Sequence, residues 1–213
     1  MKSHGDPEKA RGAKAYMRDQ FEFFGIPMPV RRKVSKEYLK KGLPPYEELN
    51  VIMEGLFNAP QRELHYFGIE LLEAMKKQWQ PDIIVLMEKM ILTKSWWDSV
   101  DYMASVWTGP YFKKNPDAII PVTGKWNKSD NIWLQRSSLL FQLKYKADTN
   151  TKLMAEYMVH LSGSKEFFIQ KAIGWCLREF SKTDPAWVKK FVAAHTLAPL
   201  SKREALKIVN SEL

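Results

Sequence analysis

Asp101, Arg136 and Lys171 follow one another at an interval of 35 residues, each inside a segment whose apolar residues recur at three- and four-residue spacing. A polar column at a constant interval of this size, set in amphipathic helices, is how stacked two-helix units look in sequence. Pro81-Asp82 and Pro116-Asp117 repeat at the same interval of 35, and each opens another apolar segment. Every repeat therefore reads as one helix beginning near the Pro-Asp pair and one carrying the column residue. Val106, Phe141 and Cys176 keep the register, as do Ser99, Leu134 and Ile169, whereas Met103, Ser138 and Ile173 do not. The pattern is that of a degenerate, HEAT-like array.

Strand signals are weak throughout. Short Gly, Pro and Asn punctuation separates the helical segments, and some of it has a mechanism. In Asn115-Pro116 and Asp184-Pro185 a capping side chain precedes a proline whose missing N–H costs nothing at the first helical position. Ser95 with Asp98 three residues on fits a capping box. The expected fold is all-α: a single domain over residues 1–213, an α-solenoid of HEAT-like helix pairs. Residues 1–12, with Gly5, Pro7 and mixed charge, are expected to be loosely ordered.

Charge narrows the partners. Lys plus Arg exceed Asp plus Glu by 33 to 24, a net charge of +9, which favours DNA, RNA or another anionic surface. The single cysteine, Cys176, sits among Ile173, Trp175 and Leu177, so it reads as a small core residue in a reducing compartment. No paired Cys/His spacing suggests a metal, and no cofactor is expected. No apolar run resembles a signal peptide or a membrane span, so a cytoplasmic protein without membrane association is expected.

Helical geometry puts Trp97 on the face of Asp101 and Trp175 on the face of Lys171, four residues apart in each case. An exposed stripe of Trp97, Asp101, Arg136, Lys171 and Trp175 follows. Trp97 shares its column with Ile132 and Phe167, which by itself suggests core, and Trp175 shares its column with Ser105 and Leu140, which leaves its side open. Asp101 fits a structural ion pair with Arg136 as well as it fits chemistry. The combination favours function: cations meet phosphates and aromatic planes meet sugars or bases, while a carboxylate in such a row suits stabilisation of a developing positive charge. Arg62, Lys94, Lys128, Lys165, Arg178, Lys202 and Arg203 extend the basic character.

Three strings are distinctive: Thr93-Lys94-Ser95-Trp96-Trp97-Asp98-Ser99-Val100-Asp101, Ser129-Asp130-Asn131-Ile132-Trp133-Leu134-Gln135-Arg136, and Ser164-Lys165-Glu166-Phe167-Phe168-Ile169-Gln170-Lys171-Ala172-Ile173-Gly174-Trp175. Together with the tail Leu197-Ala198-Pro199-Leu200-Ser201-Lys202-Arg203-Glu204-Ala205, they resemble the AlkD-type alkylpurine DNA glycosylases over nearly the whole chain. The resemblance implies a curved solenoid whose concave face holds duplex DNA. It also implies that Asp101 is the catalytic aspartate, Trp97 and Trp175 the active-site tryptophans and Arg136 the active-site arginine. Tyr16 and the nearby basic segment match a DNA-facing part of the family. Family members usually have a further helix before the Pro-Glu-Lys segment, where six residues stand here, and the expectation is a weaker grip on that side.

The activity so implied is hydrolysis of the glycosidic bond of cationic purines such as 3-methyladenine and 7-methylguanine in duplex DNA, without a base-flipping pocket and without strand cleavage. Asp101 would meet the charge on the sugar with Trp97 and Trp175 beside it. Arg136, Lys171, Lys94, Lys165, Tyr16, Lys202 and Arg203 would contact DNA, Arg136 through a flanking phosphate. The protein would work as a monomer. A non-catalytic HEAT-like scaffold for nucleic acid or a protein partner fits the charge and the repeat equally well.

Overall fold

The computed structural model describes residues 1–209. Among them no strand forms, and a lone parallel bridge joins Glu22 to Gln61. The chain divides into two compact units, the first Met1–Ser95 and the second beginning at Trp96.

The first unit contains α1 (Pro7–Tyr16), α2 (Met28–Leu39), α3 (Leu49–Asn58), α4 (Arg62–Ala74) and α5 (Ile83–Leu92). Helix α1 starts inside the stretch expected to be loose. Asp6 Oδ1 accepts the N–H groups of Glu8 and Lys9, and Pro7 takes the first position, so the helix start is locally encoded. The following loop is held by Glu63, whose carboxylate accepts the N–H groups of Phe24, Gly25 and Ile26 at 2.9–3.2 Å. Gly25 has φ +81°, and a Cβ there would fall 2.0 Å from the Asp6 carbonyl, so only glycine fits.

Met53, Phe57, Leu72, Met75, Met87 and Met90 fill the core of this unit. Arg62 joins them, fully buried, and is a structural cation where the sequence suggested a DNA-facing one. Its Nη1 donates to the Lys94 carbonyl at 2.8 Å and meets His65 Nδ1 at 3.0 Å, while its guanidinium lies 3.9 Å from the Phe21 ring centre. His65 Nε2 faces the Ala59 carbonyl at 2.8 Å, so the proton belongs on Nε2 and Nδ1 accepts from Arg62.

In the second unit α6 (Trp97–Tyr102), a π turn (Met103–Thr108) and α7 (Gly109–Lys114) run on without a break. Pro110 explains the wide turn. It has no N–H to give and its ring crowds the carbonyl one turn back, which the π geometry relieves. Gly109 allows close packing: a Cβ there would stand 2.6 Å from the Phe141 carbonyl. Then come α8 (Ile119–Asn127), α9 (Ile132–Leu140), α10 (Thr151–Leu161), α11 (Phe167–Phe180), α12 (Pro185–Ala194) and α13 (Pro199–Ala205).

The core here includes Trp107, Phe112, Trp126, Phe141, Ile169 and Leu177. Met103, Ser138 and Ile173 are all buried, so a column that fails by residue type is preserved by position. Cys176 is buried too; its Sγ donates to the Leu139 carbonyl, and burial pushes the thiol up to about 12.

Caps follow the expectation in part. Asp184 accepts from the Trp187 N–H, and Asn131 accepts from Trp133 and Leu134. The capping box does not form: α6 begins one residue late, and Ser95 Oγ donates back to the Ile91 carbonyl. Asn115 likewise donates its amide to the Tyr111 carbonyl and leaves Pro116 uncapped. In both cases a carbonyl at the end of the preceding helix competes successfully for the side chain.

The repeat interval is physical. Glu54–Lys89 in the first unit, and Asp101–Arg136 and Lys113–Asp148 in the second, are ion pairs 35 residues apart, so each pair joins equivalent positions of neighbouring repeats. Among the described residues no helix is long and apolar enough to cross a membrane, and no group of three or more His, Cys, Asp or Glu is placed to hold a metal.

Candidate active site

Trp97, Asp101, Arg136, Lys171 and Trp175 line one cleft of about 340 Å³ in the second unit, with Phe167, Phe168, Arg178 and Glu204. Helix α6 brings Trp97 and Asp101, α9 brings Arg136, α11 brings the next group and α13 brings Glu204. The stripe inferred from the repeat is thus a real wall. Its Trp97 column, which suggested core, is partly open: Phe167 is 55 % exposed and Trp97 is half-buried.

Asp101 is held from one side only. Arg136 donates Nε to Oδ1 at 2.6 Å and Nη2 to Oδ2 at 2.8 Å, a bidentate pair. Arg136 Nη1 donates to the Phe168 carbonyl. The Arg136 side chain is 5 % exposed and that of Asp101 17 %. The sequence placed Arg136 on the exposed stripe against a phosphate. In the fold its fork is engaged by a carboxylate and a carbonyl, and it lies behind Asp101. Burial pushes the Asp101 carboxyl above the usual carboxylate range; the hydrogen bonds and charge of Arg136 pull it back down, and Asp98 adds to the upward push.

An aromatic bed supports this pair. The Trp96, Trp133 and Phe168 rings lie 5.0–5.8 Å apart, centre to centre, and Arg136 lies 5.9 Å from the Phe168 ring centre. Phe168 therefore contributes both a carbonyl and a ring. Sequence reasoning passed over it because its neighbour Phe167 occupies the wall position.

The other end of the cleft is cationic around a second carboxylate. Glu204, buried in α13, accepts from Arg178 Nη1 at 2.7 Å and Lys207 Nζ at 2.7 Å, and pairs with Lys171 Nζ at 3.1 Å. Lys207 and, after it, Lys171 hold its carboxyl down at about 2 against the upward push of burial. Nothing local singles out Glu204, since a glutamate following Lys202 and Arg203 reads as a neighbour of those charges.

Of the remaining basic candidates, Lys165, Lys202 and Arg203 are exposed in the second unit and do not line the cleft. Tyr16 and Lys94 are exposed in the first unit, with Lys94 held at φ +50°.

The geometry now has relatives. A sequence model of the family described as "DNA alkylation repair enzyme" matches residues 1–209. A solved structure described as a predicted DNA alkylation repair enzyme from Enterococcus faecalis is 34% identical, covers 96% of each chain and superposes with a TM-score of 0.90. AlkD2 from Streptococcus mutans, 15% identical over 93% of this chain and 98% of its own, has a TM-score of 0.65 and shares the fold. No curated protein matches. With the family's sequence pattern spanning all the described residues and the helical-repeat fold superposing almost end to end, the chain belongs to the DNA alkylation repair enzymes.

Proposed function

We propose that the chain is a monofunctional DNA glycosylase that releases cationic alkylated purines, such as 3-methyladenine and 7-methylguanine, from duplex DNA by hydrolysis. The observation that carries this reading is the Asp101 carboxylate. It is gripped through both oxygens by Arg136, yet lines an open cleft with Trp97 and Trp175. A purely structural ion pair has no need of two indoles and a solvent-facing cleft beside it.

The chemistry follows from where charge develops. An alkylated purine that already bears a positive charge departs as a neutral base, so no acid has to protonate it. As the bond from the sugar carbon to the glycosidic nitrogen breaks, its electron pair leaves with the base and positive charge builds on the deoxyribose. A carboxylate stabilises such an oxocarbenium-like centre, as in glycosidases. Asp101 does this, and accepts a hydrogen bond from the water whose oxygen forms the new bond to the sugar carbon. The proton in that hydrogen bond passes to Asp101 and on to solvent, while the other stays on the new hydroxyl.

Trp97 and Trp175 offer their faces to the sugar and backbone, where a ring quadrupole favours cationic character. Arg136 acts through Asp101, fixing its orientation and favouring its ionised form. The lysine of the cleft, Lys171, is engaged by Glu204, so no amine is set for covalent attack at the sugar and no strand cleavage is expected. The cleft is open to solvent and walled by side chains of several helices, which suits catalysis on a base that stays outside the protein. The cations around it, with Lys165, Lys202, Arg203, Lys94 and Tyr16, would meet the duplex.

The test is release of 7-methylguanine from a methylated duplex. Asp101→Asn keeps duplex affinity and loses about a hundredfold or more of the release rate. Undiminished release removes Asp101 from the chemistry, and wild-type binding without release makes the protein a non-catalytic scaffold.

A further inference from the structure

Two carboxylates line the cleft, and their surroundings differ. Asp101 is matched by one guanidinium, whereas Glu204 is shared by three cations: Lys171, Arg178 and Lys207. The Asp101–Arg136 pair is therefore neutral, and the cluster of Glu204 with its three cations carries a formal charge of +2. An anion is drawn to one end while a developing cation is stabilised at the other.

The backbone is built to bring Glu204 there. Lys171, Gly174 and Arg178 lie at three- and four-residue spacing on one face of α11. Gly174 has no side chain, and a Cβ on it would fall 2.5 Å from the Cβ of Glu204 and 2.9 Å from the Ser201 carbonyl. Helix α13 lies directly on that gap, pinned by Ser201 Oγ donating to the Gln170 carbonyl at 2.8 Å. The Glu204 carboxylate, 5 % exposed, thus reaches both cations of α11, which keep 37 % (Lys171) and 29 % (Arg178) of their side chains exposed.

We propose that Glu204 is a positioning residue that aligns Lys171 and Arg178 as one two-pronged site for a phosphodiester flanking the damaged nucleotide. This rests on the glycosylase reading. Each cation on its own is a long side chain with several rotatable bonds whose freedom is lost on binding. A shared carboxylate beneath them removes that freedom before DNA arrives, and leaves the outward faces of both groups for phosphate. The site then holds the backbone at a fixed offset from Asp101, which matters most when the sugar must meet the carboxylate.

A mutant cycle tests this on a duplex holding one 7-methylguanine. Four proteins are compared: wild type, Glu204→Gln, Lys171→Ala/Arg178→Ala, and all three substitutions together. Single-turnover release and the salt dependence of Kd are read for each. Glu204→Gln lowers release about tenfold with Kd changed less than about threefold, and has no further effect once Lys171 and Arg178 are gone. Equal losses in both backgrounds indicate a purely structural glutamate and overturn the proposal, as does no loss in either. Should Glu204→Gln fail to fold, Glu204→Asp, which keeps the charge one methylene back, takes its place in the cycle.

Binding separates this proposal from the activity. Two phosphate contacts contribute about 1.8 to the slope of log Kd against log salt, so the double alanine variant loses about that much. An unchanged slope removes the phosphate site even if the enzyme is active. A lost slope with no base release keeps the site and removes the glycosylase.

Discussion

Arg136 reaches Asp101 across one repeat interval, Nε to Oδ1 at 2.6 Å and Nη2 to Oδ2 at 2.8 Å, and in doing so withdraws its guanidinium from solvent. The pair has a pH signature. In the proposed chemistry Asp101 serves as a carboxylate, so activity is expected above its folded-state pKa and is lost as pH falls through it. Burial places that pKa above the ordinary 3.8. Arg136→Ala removes the two influences that lower it, so the acid limb of kcat/KM moves further up. The salt slope of binding stays near that of wild type, because the guanidinium does not face solvent. A limb that does not move, or a slope lowered by about one, would place Arg136 on phosphate. Arg136→Lys does not restore the limb, since an ammonium cannot pair with both carboxylate oxygens in a plane.

Gly174→Ala tests the close approach of α11 and α13. Alanine is the better helix former by about 1 kcal/mol, yet its Cβ would lie 2.5 Å from the Glu204 Cβ and 2.9 Å from a backbone carbonyl. Overpacking wins, and stability falls by about 1–3 kcal/mol, read as a lower urea midpoint. A stabilised Gly174→Ala protein would mean that α13 moves away without cost.

Glu204 also shapes acid stability. Its carboxyl titrates at about 2 in the fold against an ordinary 4.5. The stabilisation is thus fully present above 4.5 and lost as pH falls toward 2. Discounting for the half-exposed Lys207, the contribution at pH 7 is about 2–3 kcal/mol. Glu204→Gln flattens the stability profile between pH 5 and 2; denaturant melts at several pH values measure it, and a profile parallel to wild type would contradict it.

Ser35 is a local defect in the first unit. Only 1 % exposed on α2, its Oγ has no hydrogen-bond partner among the described residues, and neither has Glu70 Oε2. Glu70 Oε1 meanwhile accepts from Arg31 at 2.8 Å. An unsatisfied buried hydroxyl costs about 1–3 kcal/mol. Ser35→Ala therefore raises stability by about 1 kcal/mol, seen as a higher midpoint with the same m-value. A fall would show that the hydroxyl is satisfied in solution.

Helix positions and the repeat interval were legible because both are short-range properties. Apolar spacing and Asx-Pro starts act within a few residues, as Asp184 does for Trp187; Asp6-Pro7 carries the same signal, passed over where residues 1–12 were expected to be loose. The exceptions, Ser95 and Asn115, are side chains with a second acceptor one turn back, and nothing in the string decides between a forward and a backward bond. The wall was legible because stacking converts a sequence interval into spatial adjacency. The mistaken suggestion of a core Trp97 came from Ile132 and Phe167, neither of which is buried here, Phe167 lining the cleft.

The amino-acid order on its own determined an all-helical repeat protein, a basic character and a column of Asp101, Arg136 and Lys171. Only tertiary packing decided what the long side chains do. Arg62 turned inward, Arg136 turned onto Asp101, and Glu204 entered the cleft from 26 residues beyond Arg178. A helix fixes the direction of a Cβ, but several rotatable bonds lie between it and a guanidinium, and the nearest buried partner sets where they point.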